Sequence, residues 1–284
     1  MLNLAHKGIV LVACGHNYYG RLAYNLALSI KAVDPSFPVA VIHSEGSLSH
    51  LSDERKKIFD QLILLPGGTG FGCKLYLDTL SPFEETLYLD ADMAWMPKRG
   101  PSDLFEELKD VEFTSITEGH TEDKSPKYYF WADPEEIRKK YEITGRIYQW
   151  RSEVIYFKKN NKVKQMFAMA RRVYANPDLK TLIKFGNQVP DELAFNIACA
   201  YYDIHPHSYK WCPALWPRLH GNNATKPADV YNKYYLLSCG SNYATGDLKM
   251  LYNNIMKAAA YKMRTQHIFP LMDKKSFIPD RQKM

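Results

Sequence analysis

Thr86-Leu87-Tyr88-Leu89-Asp90-Ala91-Asp92-Met93 is the stretch on which the fold turns. The apolar run Leu87-Tyr88-Leu89 goes straight into two carboxylates spaced one residue apart. Such a run reads as a buried strand ending in a pair of acids. Ligands of open α/β sheets sit beyond the carboxyl ends of the strands. Two hard carboxylates there suit Mg²⁺ or Mn²⁺ held against a substrate's phosphates. The stretch therefore predicts a metal-dependent enzyme acting on a phosphorylated donor, a nucleotide-sugar first among them. The structural alternative is that the acids cap the next turn or pair with Lys98 or Arg99.

The flanking sequence alternates strand and helix signals. Gly8 to Cys14 is an apolar run closed by Gly15, and Asn17-Tyr18-Tyr19 reads as a loop. Leu22, Leu26 and Ile30 recur at helical spacing up to Asp34-Pro35. Val39 to Ile42 and Leu62 to Leu65 are further strands, with a helix from Ser52, its cap, to Phe59 between them. Lys74 to Leu80 is a connecting helix. Strands alternating with helices predict βαβ units and a mostly parallel sheet flanked by helices. Beyond Val111, Glu118 to Trp131 reads as a long polar and aromatic loop, Pro134 to Tyr141 as a short helix and Val154 to Phe157 as a strand. Helices follow at Val163 to Ala175, from Pro190-Asp191 and from Asp247 to Arg264, then a tail from Phe277.

The 284 residues, 46% of them apolar, suffice for a full globular core. No apolar run approaches the roughly 18 residues of a membrane span. The N-terminus carries no secretory pattern, so a soluble, cytoplasmic protein is expected. The five cysteines form no CxxC pair, which argues against a cysteine zinc site and fits a reducing compartment. A net charge of +6 permits an acidic partner without requiring one. The basic runs Arg138-Lys139-Lys140 and Lys158 to Lys164 read first as solvated faces. The 20 tyrosines and 5 tryptophans supply rigid faces for sugar rings or bases, apart from those used in the core.

Four ordered segments together resemble the GT-A glycosyltransferases of the glycogenin and galactosyltransferase-like retaining group. They are Gly15-His16-Asn17-Tyr18; Lys74-Leu75 through Pro82-Phe83 to Asp90-Ala91-Asp92; Pro190-Asp191-Glu192-Leu193-Ala194-Phe195-Asn196; and His220-Gly221 followed by Lys226-Pro227. The resemblance spans roughly residues 8 to 230. It implies a GT-A fold, a Rossmann-like nucleotide-diphospho-sugar transferase with a single catalytic domain over 1–240. About 1–115 would be its nucleotide-binding half and 116–240 its acceptor and metal half, with 241–284 a C-terminal helix and tail.

It also implies roles. Asp90 and Asp92 bind Mn²⁺ (or Mg²⁺), with His220 a third ligand whose nitrogen favours Mn²⁺. Gly221 lets backbone approach a phosphate and Lys226 neutralises the diphosphate. Lys74 contacts phosphate or donor sugar. Asp191 contacts sugar hydroxyls or steadies the positive anomeric centre. Asn17 and Tyr18 hold the uracil, one at its edge and one by stacking. Arg151-Ser152-Glu153 stands where the group carries Asn-Ser-Gly, so only Ser152 matches, and Arg151 and Glu153 point to a different donor sugar or acceptor. Glu192 replaces a usual Gln, and the residues that usually separate the group's late His and Gly are missing. Each role has a plainer alternative: a structural His220, a solvated Lys74, an N-cap Asp191, a packed Tyr18, an ion-paired Glu153.

The expected reaction is transfer from a UDP-sugar to an acceptor hydroxyl, with retention implied by the resemblance. The acceptor is a glycan or another hydroxyl compound, with nucleic acid a minor option; Glu118 to Trp131 and Tyr209 to Trp216 are its expected walls. Alternatives are an inactive carbohydrate- or nucleic-acid-binding module and a nucleotidyltransferase. The latter usually carries a basic phosphate loop, and Gly15 to Gly20 has no Lys or Arg before Arg21.

Overall fold

The computed structural model describes residues 6–65, 71–122, 131–184, 187–216, 227–239 and 246–271. Its centre is a six-stranded sheet of β1 (Lys7–Ala13), β2 (Val39–His43), β3 (Gln61–Leu64), β4 (Glu85–Leu89), β6 (Phe113–His120) and β7 (Tyr148–Lys158). The order is β3-β2-β1-β4-β7-β6. The pairs β2/β3, β1/β2 and β1/β4 are parallel, and β7 lies antiparallel between β4 and β6.

Strands covered on both faces are mostly apolar, which is why β1, β2 and the Leu87–Leu89 end of β4 read as continuous runs rather than alternations. Period-two alternation then sorts their side chains. Ile9, Leu11, Leu87 and Leu89 join one core cluster with α1 (Asn17–Val33). Val10, Ala40, Ile42 and Tyr88 join the other with α6 (Asn161–Ala175) and α7 (Asp191–Tyr201). The mostly parallel sheet flanked by helices is thus the architecture observed.

A second sheet of three strands, β5 (Met93–Trp95), β9 (Leu236–Ser238) and β8 (Ala214–Leu215), follows directly on the acids. Its core is shared with the C-terminal helix Gly246–Lys262. Behind that helix the chain is tied back to α1. The buried Asn25 donates from Nδ2 to the Tyr252 hydroxyl (3.0 Å) and the Phe269 carbonyl (2.6 Å), and its Oδ1 accepts from the Phe269 amide (3.1 Å).

Several sequence expectations need correction. Asn17-Tyr18-Tyr19 is the first turn of α1, not a loop; the His16 side chain caps it by accepting from the Tyr18 amide at 3.1 Å. Lys74 to Leu80 is not one helix. A 3₁₀ turn, Phe71–Tyr76, precedes a single α-turn, α3 (Leu77–Leu80), and Lys74 within the first points inward to an ion pair. Glu118 to His120 belongs to β6, and β7 begins at Tyr148, so Arg151, Ser152 and Glu153 lie within a strand. The tail from Phe277 lies outside the described residues. Among the described residues no helix is long and apolar enough to cross a membrane.

Gly8 gives a direct test of this packing. A Cβ built there lies 2.4 Å from the Phe83 ring, which is itself buried. Gly8→Ala should cost about 2 kcal/mol through overpacking, seen as a lower urea midpoint at unchanged slope.

Candidate active site

The acid pair occupies the elbow between the two sheets. Asp90 follows the last residue of β4, and its amide donates to the Glu153 carbonyl of β7 at 2.8 Å. Two residues on, the Asp92 carbonyl accepts from the Cys239 amide, just past β9, at 3.0 Å. Each aspartate backbone is therefore fixed by a different sheet, and both side chains keep some solvent access.

Lys74 meets this elbow from the 3₁₀ turn. Its ammonium lies 2.9 Å from Asp90 Oδ1, donates to the Ser152 carbonyl (3.2 Å) and hydroxyl (3.1 Å), and stands 3.8 Å from Asp191 Oδ2. Tyr88, two residues before Asp90 on the same strand face, donates its hydroxyl to Asp90 Oδ1. The expected alternative partners of the acids are occupied elsewhere: Lys98 binds Asn232, and Arg99 meets Tyr235 and Glu107.

Asp191 is the first residue of α7. Pro190 takes the N-cap position, and the carboxylate turns toward Lys74 instead of capping. A carboxylate in a helix's first turn is favoured by the helix dipole, which helps offset its burial. Burial pushes the Asp191 carboxyl above its ordinary value; Lys74 and a Ser152 hydrogen bond oppose this. Burial alone would push the Lys74 ammonium down, but the Asp90 and Asp191 carboxylates outweigh it and hold the group well above the usual lysine range. Lys74 is thus a fixed, buried cation aimed at the strand ends, not a solvated surface lysine.

One residue along β7, Arg151 is 1% exposed and forks between two acids. Nη1 donates to Glu192 Oε2 at 2.6 Å and Nη2 to Glu118 Oε2 at 2.7 Å. The Trp131 indole also donates to Glu192 Oε2 (2.6 Å), Gln149 donates to Glu118 Oε2 (2.6 Å), and the Trp216 ring lies 5.9 Å from the guanidinium. Arg151 therefore ties Glu118 of β6 to Glu192 of α7. Glu153 feels the charge of both cations without pairing to either, and its Oε2 is enclosed without a hydrogen bond among the described residues. Burial, then the Glu192 and Asp90 charges, push its carboxyl up to about 8. The folded chain thus keeps a proton that the unfolded chain releases near its ordinary pKa of 4.5. Stability from this group is complete below about pH 4.5 and is lost as pH rises toward about 8. Glu153→Gln should flatten the fall in urea midpoint across that window.

The structure brings Lys74, Asp90, Ser152 and Asp191 together, with Asp92 at the elbow and Arg151 one residue further along β7. It separates Tyr18, whose ring is 1% exposed and packed in the core, so it offers no face to a base. Its neighbour Tyr19 is the tyrosine near the acids: burial raises its phenol, and so do the Asp92 and Asp90 charges. Asn17 keeps partial exposure as the first residue of α1. His220, Gly221 and Lys226 lie outside the described residues. Among the described residues no three His, Cys, Asp or Glu side chains form a metal cluster. Asp90 and Asp92 fit a divalent cation as two hard, partly solvated ligands, and the rest of the shell must come from elsewhere. Sequence reasoning missed Tyr88 and Tyr19 as neighbours of the acids, and it placed Glu118 in an acceptor-wall loop without its pairing to Arg151. Tyr88 was available from strand alternation with Asp90; the Glu118 pairing carried no local signal.

No protein-family model matches the chain, and no curated protein resembles it in sequence. Solved structures do resemble it in fold. WbbM, a bifunctional glycosyltransferase, superposes with a TM-score of 0.57 at 12% identity, over 93% of this chain and 52% of its own. This chain thus spans about half the length of WbbM. The galactosyltransferase LgtC, solved with donor and acceptor sugar analogs, superposes at 0.53 with 14% identity over 92% of this chain and 97% of its own. An active-site glutamine-to-glutamate mutant of LgtC gives 0.53 and 15% over 88% and 95%. The likeness, at 12–15% identity, is one of fold: the mixed α/β sheet flanked by helices is shared with these glycosyltransferase structures.

Proposed function

We propose that this chain is a metal-dependent glycosyltransferase that moves a sugar from a UDP-sugar to an acceptor hydroxyl with retention. The observation that carries the reading is the buried Lys74 ammonium, held among Asp90, Ser152 and Asp191 beyond the carboxyl end of β4. A fixed cation beside an acid pair at that edge suits a diphosphate whose charge grows as it leaves. The fold likeness to LgtC, which was solved with donor and acceptor sugar analogs, supports the same class of substrates.

In this reading Asp90, Asp92 and His220 would hold Mn²⁺ or Mg²⁺, which would supply Lewis acidity toward the leaving diphosphate. Lys74 and Lys226 share that charge, and Gly221 allows close approach of backbone to phosphate. Asp191 and Ser152 face the donor sugar, where a carboxylate steadies a developing oxocarbenium ion. Arg151 fixes Glu118 and Glu192 behind them. The acceptor, a glycan or another hydroxyl compound, attacks from the face the diphosphate leaves.

Calorimetry with UDP, with and without Mn²⁺, tests the core of this reading, and donor hydrolysis over a panel of UDP-sugars names the sugar. Metal-dependent UDP binding is expected. UDP binding that ignores the metal, or none, sinks it. Binding without any turnover would point instead to an inactive carbohydrate-binding module.

A further inference from the structure

Two thiols from distant parts of the chain meet beside Lys74. Cys14 follows Ala13, the last residue of β1, and precedes Gly15 (φ 86°), where the chain turns into α1. Cys73 lies in the 3₁₀ turn, immediately before Lys74. The two side chains are hydrogen-bonded to each other, and the Cys14 sulfur also lies 4.0 Å from the Ile42 carbonyl. Both residues are partly exposed, whereas Cys199 and Cys239 are buried. The hydrogen bond from Cys73 brings the Cys14 thiol below its ordinary value despite partial burial, and the same bond raises Cys73. Burial pushes the thiols of Cys199, Cys212 and Cys239 up. Thiolate character and access decide which cysteine meets an oxidant first, and both favour Cys14. The turn that carries Cys73 is pinned on either side of it. The Leu75 carbonyl accepts from Arg171 of α6 at 2.7 Å, and a Cβ built on Gly72 would lie 2.9 Å from the Tyr174 ring. A displacement of Cys73 therefore falls on its neighbour Lys74, whose ammonium is set by Asp90, Ser152 and Asp191.

We propose that Cys14 and Cys73 are a site of oxidative modification, a dithiol that hydrogen peroxide closes to a disulfide, moving Lys74 off its partners. The Cys14 thiolate attacks one peroxide oxygen. A sulfur–oxygen bond forms, the oxygen–oxygen bond breaks, and the leaving hydroxide takes up the proton that Cys14 gave, as water. Cys73 then attacks the sulfenic sulfur. The sulfur–sulfur bond forms, the sulfur–oxygen bond breaks, and the departing hydroxide takes the Cys73 proton as a second water. The two thiols lose two electrons and the peroxide gains them. Bonded sulfurs stand about 2 Å apart, closer than a hydrogen bond brings them, so closure pulls the turn toward the end of β1. A thiol reductant reverses the step by exchange. The inference rests on the transferase reading for what the switch controls, since it concerns the regulation of that same site.

Peptide mapping of the full chain after hydrogen peroxide, without reductant, tests the bond. A linked Cys14–Cys73 peptide is expected, with the five thiols falling by two and returning with dithiothreitol. NMR of lysine-labelled protein reads the turn. The Lys74 side-chain resonance, assigned by its loss in Lys74→Arg, should shift on oxidation, return on reduction, and stay in place in oxidised Cys14→Ser and Cys73→Ser. UDP affinity in the presence of Mn²⁺ should weaken about tenfold on oxidation, the loss of one charge-assisted contact. The proposal is overturned if no linked peptide forms, if the disulfide leaves the Lys74 resonance unmoved, if either serine variant responds as wild type does, or if UDP binds the oxidised and reduced forms alike. A reduced chain that binds no UDP removes the transferase reading instead, and the peptide map with the Lys74 resonance then decides on the switch alone.

Discussion

Asp92→Asn should abolish donor turnover, by at least about a hundredfold, and leave the melting temperature within about 2 °C of wild type. The choice of Asp92 over Asp90 matters. Asp90 neutralises Lys74 and accepts from Tyr88, so its loss would strand a buried ammonium and confuse folding with chemistry. The Asp92 backbone is held through its carbonyl by Cys239, a bond that the substitution leaves untouched. Asn keeps the shape and one oxygen but removes the charge that a divalent cation needs. Hydrolysis of the preferred UDP-sugar, followed beside a thermal melt, gives both readouts. Wild-type turnover in this variant would remove the acids from the mechanism.

The largest stability effect is expected at Arg151. Arg151→Met leaves Glu118 and Glu192 enclosed without their shared cation, a change that costs about 3–5 kcal/mol. The melting temperature should fall by roughly 10 °C. Arg151→Lys should recover little, because a point charge does not span two carboxylates as a guanidinium fork does. The triple variant Arg151→Met, Glu118→Gln, Glu192→Gln should regain most of the loss, since no buried charge is then left unmatched. A triple variant as unstable as the single one would show that packing against Trp216, and not charge, sets the cost.

The parts of this molecule that were legible in the sequence are those governed by local pattern. The runs at β1, β2 and the end of β4 announced a parallel sheet because strands buried on both faces take few polar residues, and those only with partners. Asp90 and Asp92 stood out because acids interrupt such a run. What the sequence did not disclose depends on distant partners. The inward turn of Lys74 needs Asp90 and Ser152, which lie 16 and 78 residues away. The start of α1 turns on a histidine cap, weaker in pattern than Ser or Asp. β5, β8 and β9 are two or three residues long, too short to show any periodicity. Tyr18 and Tyr19 are adjacent aromatics in the same turn; only the packing of α1 on the sheet buries the first and leaves the second near the acids.

The clamp between Asn25 and Phe269 joins residues 244 positions apart. During synthesis the first helix leaves the ribosome long before the strap that completes its hydrogen bonds. At roughly 5–20 residues per second, Asn25 waits on the order of ten seconds or more with a core amide unanswered. Nascent chains of this protein therefore spend most of their elongation with an unfinished first layer. A chain cut short before Phe269 would lack both the hydrogen bonds to Asn25 and the ring that packs edge-on against Tyr24.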